Sequence, residues 1–205
     1  MMDAVSQIAL LLGAGAAASF SYRAAQNQPE AQRTHTLVIS LASVFIALAA
    51  LAELLLTSPD QDTMTLRRML TNLATYAGLP LISSALLALA RGWEWSSAAW
   101  GRWLLVLFAM FELCRRSGVG EQYSEGLNVA IAAVWLISTL LLGAGLAKLL
   151  AILSALLATS ALLLFSPQAL LGTANVAFYS LALAAALVLL GTQIRTLVPI
   201  AAKDA

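Results

Sequence analysis

Between Lys148 and Arg195 the chain runs for 46 residues without a formal charge. A helix that crosses a bilayer needs about 20 apolar residues, because each adds roughly 1.5 Å across a hydrocarbon layer about 30 Å thick. The stretch is too long for one crossing and suits two. Ser166-Pro167-Gln168 supplies a turn signal between them.

Charges punctuate the rest of the chain in the same way. Asp3 to Arg23, Arg33 to Glu53, Arg68 to Arg91 and Glu125 to Lys148 each enclose one uncharged stretch. The segment that fits least well lies between Arg102 and Glu112, where Trp-Leu-Leu-Val-Leu-Phe-Ala-Met-Phe spans only residues 103–111. Arg102 can snorkel to the interface and lengthen that crossing. An interfacial helix is the alternative there. The sequence therefore predicts an all-α polytopic transmembrane bundle of about seven spans, roughly 4–22, 34–57, 66–90, 98–114, 126–147, 149–165 and 170–194. Residues 1–205 read as a single transmembrane domain.

Composition agrees. Hydrophobic residues make up 61% and charged residues 10%, where a soluble domain carries about 25% charged. A net charge of +1 argues against nucleic acid as a partner, since phosphate binding needs clustered Lys and Arg. The lipid bilayer is the expected surrounding. A homo-oligomer or a place in a membrane complex is left open. Cys114 is the single cysteine, so no intrachain disulfide forms. Met1-Met2-Asp3 lacks the basic start of a signal peptide, which favours a retained first span.

Lys and Arg are retained on the cytoplasmic side of membranes. Seven spans place Arg23, Arg33, Arg91, Arg102, Lys148, Arg195 and Lys203 on one side, against Arg67, Arg68, Arg115 and Arg116 on the other. The bias predicts an outside N-terminus and a cytoplasmic C-terminus. The Ala- and Leu-rich composition suggests a bacterial inner membrane. Trp93, Trp95, Trp100 and Trp103 cluster at the third connection, where indoles would anchor the bundle at the headgroups.

Three pairs of stretches recur in order. Leu54–Pro59 resembles Leu162–Pro167, Asn72–Tyr76 resembles Asn175–Tyr179, and Leu10–Gly15 recurs as Leu140–Gly145. The pairs suggest helices 1–3 and 5–7 as parallel repeats, with helix 4 as the linker that restores direction. That layout resembles the three-one-three plan of the sugar-transporting SWEET family, in which parallel repeats are related by an axis along the membrane normal. The likeness is one of layout and a matched Asn in helices 3 and 7. The prolines that family carries in the first helix of each triplet are absent here from helices 1 and 5.

Candidate chemistry is sparse. Glu53 sits about one turn inside the end of helix 2, and a carboxylate in hydrocarbon is costly unless paired, hydrated or protonated. Arg68 enters helix 3 at a similar depth and is the expected partner. The functional reading of Glu53 is a proton- or cation-coupling acid at the mouth of a pathway, and the plainer one is an ion pair fixing a hairpin. Arg68, Asn72, Thr75 or Tyr76, and Ser83 recur at helical spacing, and Pro80 should kink that helix. Asn175 and Tyr179 give helix 7 a polar face. Asn128, Trp135 and Thr139 do the same in helix 5. Such faces either hydrogen-bond between helices or line a wet cavity. The candidate substrate-binding set is Asn72, Tyr76, Asn175, Tyr179, Glu53 and Arg68.

Several classes are argued against. His35 is the sole histidine, which excludes a multi-histidine metal or haem site in one chain. No lysine lies between Lys148 and Lys203 to carry a retinal Schiff base. No nucleophile constellation supports a hydrolase, and no cofactor is expected. The expected function is a small-solute or ion transporter or channel with a site between helices 3 and 7. The alternative is a non-transporting sensor, assembly factor or accessory subunit. A lipid-acting enzyme using Glu53 or Glu112 is the third reading.

Overall fold

The computed structural model describes residues 2–201, with the side chains of residue 31 and of 198–201 left aside. Among the described residues it holds seven helices long and apolar enough to cross a membrane, and no strand. They are α1 (Met2–Ala25), α2 (Glu30–Leu55), α3 (Gln61–Arg91), α4 (Ser97–Arg116), α5 (Gly120–Leu141), α6 (Gly145–Phe165) and α7 (Val176–Ala201). The chain is an integral membrane protein by this measure. Its exposed Leu, Val, Ile and Phe side chains need hydrocarbon as their solvent.

Six helices close a ring. α1 packs on α2, α2 on α3, α3 on α5, α5 on α6, α6 on α7, and α7 returns to α1. α4 lies outside, against the α3/α5 side. Each triplet is therefore consecutive around the ring, and the seam joining α3 to α5 has its counterpart in the seam joining α7 to α1. Two of the three recurrent stretches do not share a structural position, however. Leu10–Gly15 lies within α1, whereas Leu140–Gly145 ends α5 and forms a turn. Gly143 and Gly145 take φ of 74° and 58° in that turn, which side-chain-bearing residues avoid. Asn72 is inside α3, but Asn175 precedes α7. The Leu-rich stretches before Ser58-Pro59 and Ser166-Pro167 do both run into a helix end.

Each of the six seams carries a polar bond. Ser40 donates to the Ala18 carbonyl (2.8 Å), Thr71 to Glu53 (3.4 Å), and Tyr76 shares a bond with Ser124 (2.8 Å). Asn128 donates to Ser166 (3.2 Å), Ser154 to the Ala186 carbonyl (2.8 Å), and Gln7 to Ser180 (3.2 Å). Such bonds average about 0.6 kcal/mol each in membrane bundles, so they set register more than stability.

Pro80 acts through a π-turn. Residues Ala74–Gly78 form a π segment, and the Leu79 amide bonds the Ala74 carbonyl five positions back. Pro80 has no amide to give, and the widened turn absorbs that loss. The extra residue also rotates everything beyond it by about one helical position, roughly 100°. Ser83 thereby leaves the polar face expected for it and bonds the Pro80 carbonyl within its own helix (3.0 Å).

The tryptophans also pack within the bundle. Trp100 is buried, and its indole donates to His35 Nδ1 (3.1 Å). His35 is only 1% exposed, and its Nε2 stands 2.6 Å from the Trp93 carbonyl. Because Nδ1 accepts, Nε2 carries the proton and donates. Trp103 donates to Ser84 (3.2 Å), and Trp95 packs on Trp100 with centroids 4.8 Å apart. The cluster pins α4 and the α3–α4 turn to α2. Trp93 remains exposed.

Candidate functional site

The ring encloses a cavity of about 320 Å³. Its walls come from five of the ring helices, α1, α2, α3, α5 and α7, and from the connection between α6 and α7. That volume far exceeds the ~10–15 Å³ that admits one water. The contributing positions lie near the starts of α1, α5 and α7, the end of α2, the middle of α3 and the connection just after α6. The cavity thus belongs to the half of the ring that holds the start of α1. Beyond it, Ile39, Ile82, Leu86, Trp135, Leu187 and Leu190 fill the ring.

The lining is layered. Leu10, Ile46, Leu79 and Leu183, one each from α1, α2, α3 and α7, form an apolar floor and are all buried. Above them stand Asn72, Thr75 and Tyr76 from α3, Asn128 from α5, and Tyr179 and Ser180 from α7. Glu53, Thr71 and Gln168 edge the mouth. Among the described residues, Asn72, Thr75 and Tyr179 make no side-chain hydrogen bond within the protein. Their polar groups are free for whatever enters.

The Tyr76 ring separates the cavity from α4. It stacks on Phe111 of α4 at 4.0 Å between centroids and on Tyr123 of α5 at 6.1 Å. Its hydroxyl bonds Ser124, which in turn donates to the Gly120 carbonyl (2.8 Å). This closes the α3/α5 seam beside the cavity.

Four of the six residues expected at a site line the cavity: Glu53, Asn72, Tyr76 and Tyr179. Two do not. Arg68 is exposed one turn beyond the mouth. Its neighbour Arg67 takes its place beside Glu53, with Nη1 3.6 Å from Oε2. Arg67 and Thr71 lie four positions apart, so they share the α3 face turned to α2, while Arg68 is rotated off it. Asn175 is exposed and serves as a cap, accepting from the Phe178 amide (3.1 Å). α7 begins at Val176 rather than near 170 because residues 166–175 fold back on the end of α6. The Leu171 and Asn175 amides there satisfy the Leu163 and Phe165 carbonyls, each at 3.0 Å. Gly172 lies against Leu164, where a Cβ would come 2.2 Å from a carbonyl oxygen.

Gln7, Thr71, Ser166, Gln168 and Ser180 line the cavity without having been singled out. Gln7 carried a signal, as an amide inside an otherwise apolar first span. Ser166 and Gln168 depend on how the α6–α7 connection folds back, whereas Thr71 and Ser180 are set by the faces that α3 and α7 turn to their neighbours. The site also lies nearer one face than mid-bundle, and it is shared by five helices and the α6–α7 connection rather than held between α3 and α7.

Glu112 is elsewhere and fully engaged. Its carboxylate accepts from Arg115 at 2.9 and 2.8 Å and from Arg116 at 2.6 Å. That ion triad occupies the exposed end of α4, and Glu112 takes no part in the cavity lining. The described residues hold no cluster of three or more His, Cys, Asp or Glu arranged for a metal. No family model, curated protein or solved structure matches the chain.

Proposed function

We propose that the protein carries a small polar solute across the membrane through this cavity, as a transporter or channel. The observation that supports the reading is a cavity walled by five membrane helices and the α6–α7 connection, with free hydrogen-bonding groups above an apolar floor. Asn72, Thr75 and Tyr179 are half-buried and make no side-chain hydrogen bond within the described protein, so their polar groups are available to a polar solute in the cavity. The apolar floor fits a closed gate, since hydrophobic constrictions block passage by dewetting. In the orientation we favour, the N-terminus lies outside, the C-terminus lies in the cytoplasm and the mouth faces outward. Lys203, one of the charges behind that orientation, lies outside the described residues. A bacterial inner membrane is the location we attach to the reading.

Purified protein in liposomes should admit small solutes faster than protein-free vesicles. The double variant Asn72→Leu, Tyr179→Phe should slow that entry at unchanged protein content. Equal entry with and without protein, across neutral and charged solutes, would reject transport. Reporter fusions at each terminus test the orientation.

A second reading rests on α4. Only Trp100 and Leu107 are buried in it, while Leu105 and Leu113 are 68% and 63% exposed. Such a peripheral helix suits an accessory subunit that meets a partner helix inside the membrane. Co-purification after mild solubilisation, lost in a Leu105→Ala, Leu113→Ala variant, is its test.

A further inference from the structure

We infer that the solute of this cavity is a small organic cation, an ammonium with apolar substituents. The inference rests on the transport reading and names its substrate class. Three features of the lining converge on it. Among the described residues, Glu53 is the only formally charged one in the cavity wall, and neither Arg67 nor Arg68 joins it there. An anion entering the cavity would meet a carboxylate in the wall, and the nearest cation, Arg67, already pairs with that carboxylate from outside the wall.

The carboxylate is also loosely held. Arg67 approaches to 3.6 Å and the Thr71 hydroxyl to 3.4 Å. Charge-assisted bonds close to about 2.7–2.9 Å when fully formed, and the Glu112 triad of the same chain reaches 2.6–2.9 Å. Glu53 and Arg67 are each 37% exposed, so a competing cation can reach the carboxylate without dismantling the core. Finally, the tyrosines and the floor suit the rest of such a molecule. The rings of Tyr76 and Tyr179 line the wall, and aromatic faces attract ammonium groups. Leu10, Ile46, Leu79 and Leu183 offer apolar contact to alkyl substituents.

The test uses tetraethylammonium, which keeps its charge at every pH, with sodium acetate and glycerol as comparison solutes. Uptake is measured in proteoliposomes, and thermal stabilisation is measured on the detergent-solubilised full chain. Tetraethylammonium should enter saturably and stabilise the wild type, while acetate does neither. Glu53→Gln should cut its uptake by about tenfold or more, the worth of one charge-assisted contact. Arg67→Gln removes the competitor and should preserve or raise uptake. If both variants lose uptake equally, Glu53 is only half of a structural pair and the cation reading is overturned. If glycerol or acetate enters and tetraethylammonium does not, the cation reading falls while transport stands. If none of the three enters, both readings fall. Should Glu53→Gln fail to fold, the stabilisation of the wild type by tetraethylammonium over acetate still decides.

Discussion

The ring closes at two opposite seams, and they are built differently. α1 and α7 meet through absent side chains. Gly13 faces Ala184 so closely that a Cβ would come 2.7 Å from its carbonyl oxygen, and Gly191 stands against Ala17 and Phe20. Backbones that approach this far gain dense van der Waals contact, which drives helix association in lipid. α3 and α5 meet through large side chains instead. The Phe111, Tyr76 and Tyr123 rings stack there beside a π-turn, and α4 braces the outside. Small-residue seams resist sliding because nothing can repack, whereas aromatic seams around an irregular turn have other rotamers and backbone registers near in energy. The first seam is a fixed spine. The second is where the ring can give way, and it forms one wall of the cavity.

Substitutions at the two seams separate these roles. Gly13→Ala places a methyl against backbone that cannot swing aside, so α1 and α7 must part. The expected loss is about 1–3 kcal/mol, the usual cost of overpacking, read as a lowered melting temperature in detergent. Tolerance of alanine there would remove the distinction between spine and movable wall. Trp100→Phe tests the brace, since it deletes the donor to His35 Nδ1. It should cost about 1 kcal/mol, the net worth of one buried hydrogen bond. It should also raise hydrogen exchange in α4 and the α3–α4 turn more than in α1 or α7. Tyr76→Phe keeps the stack with Phe111 and removes only the bond to Ser124. A loss of about 0.6 kcal/mol is expected, small enough that any larger change in solute entry reports on the cavity wall rather than on folding.

The contrast between the seams also marks what was legible in the sequence. Gly13 and the Ala-rich faces announce close packing directly, because small residues in a lipid-facing helix have little other purpose. Span number follows from charge spacing, since hydrocarbon imposes one length on every crossing. Pro80 announces an irregularity in α3, but not that a π-turn would precede it and rotate Ser83 away. Nor does spacing say whether Arg67 or Arg68 meets Glu53, because neighbouring positions differ by about 100° and the tilt between α2 and α3 decides. Asn175 looked like a mate of Asn72 by sequence order. Its place is fixed instead by the carbonyls that the π-turn ending α6 leaves for loop amides to satisfy. His35 gave no hint of its burial, which depends on Trp93 and Trp100 reaching it across two connections.

The smallest expected effect concerns how α3 starts, at the edge of the cavity mouth. Asp60 caps that helix, accepting from the Asp62 and Thr63 amides at 3.1 and 3.3 Å and from the Thr63 hydroxyl. The Thr63 hydroxyl first, then the Asp62 amide, hold its carboxyl below the ordinary value of 3.8. A carboxyl lowered by folding adds stability while ionised. That contribution is present above 3.8 and is lost as pH falls through the lower, folded value. Asp60→Asn keeps a good capping side chain but cannot titrate. The difference in melting temperature between wild type and variant should therefore be steady near neutrality and shrink as the pH falls from 3.8 through the lowered value. Because Arg67 and Thr71 ride on the same helix start, fraying there should loosen the Glu53 side of the mouth and leave the α1/α7 spine unaffected. A pH-independent difference would mean that the Asp60 charge does not contribute to holding α3 in place.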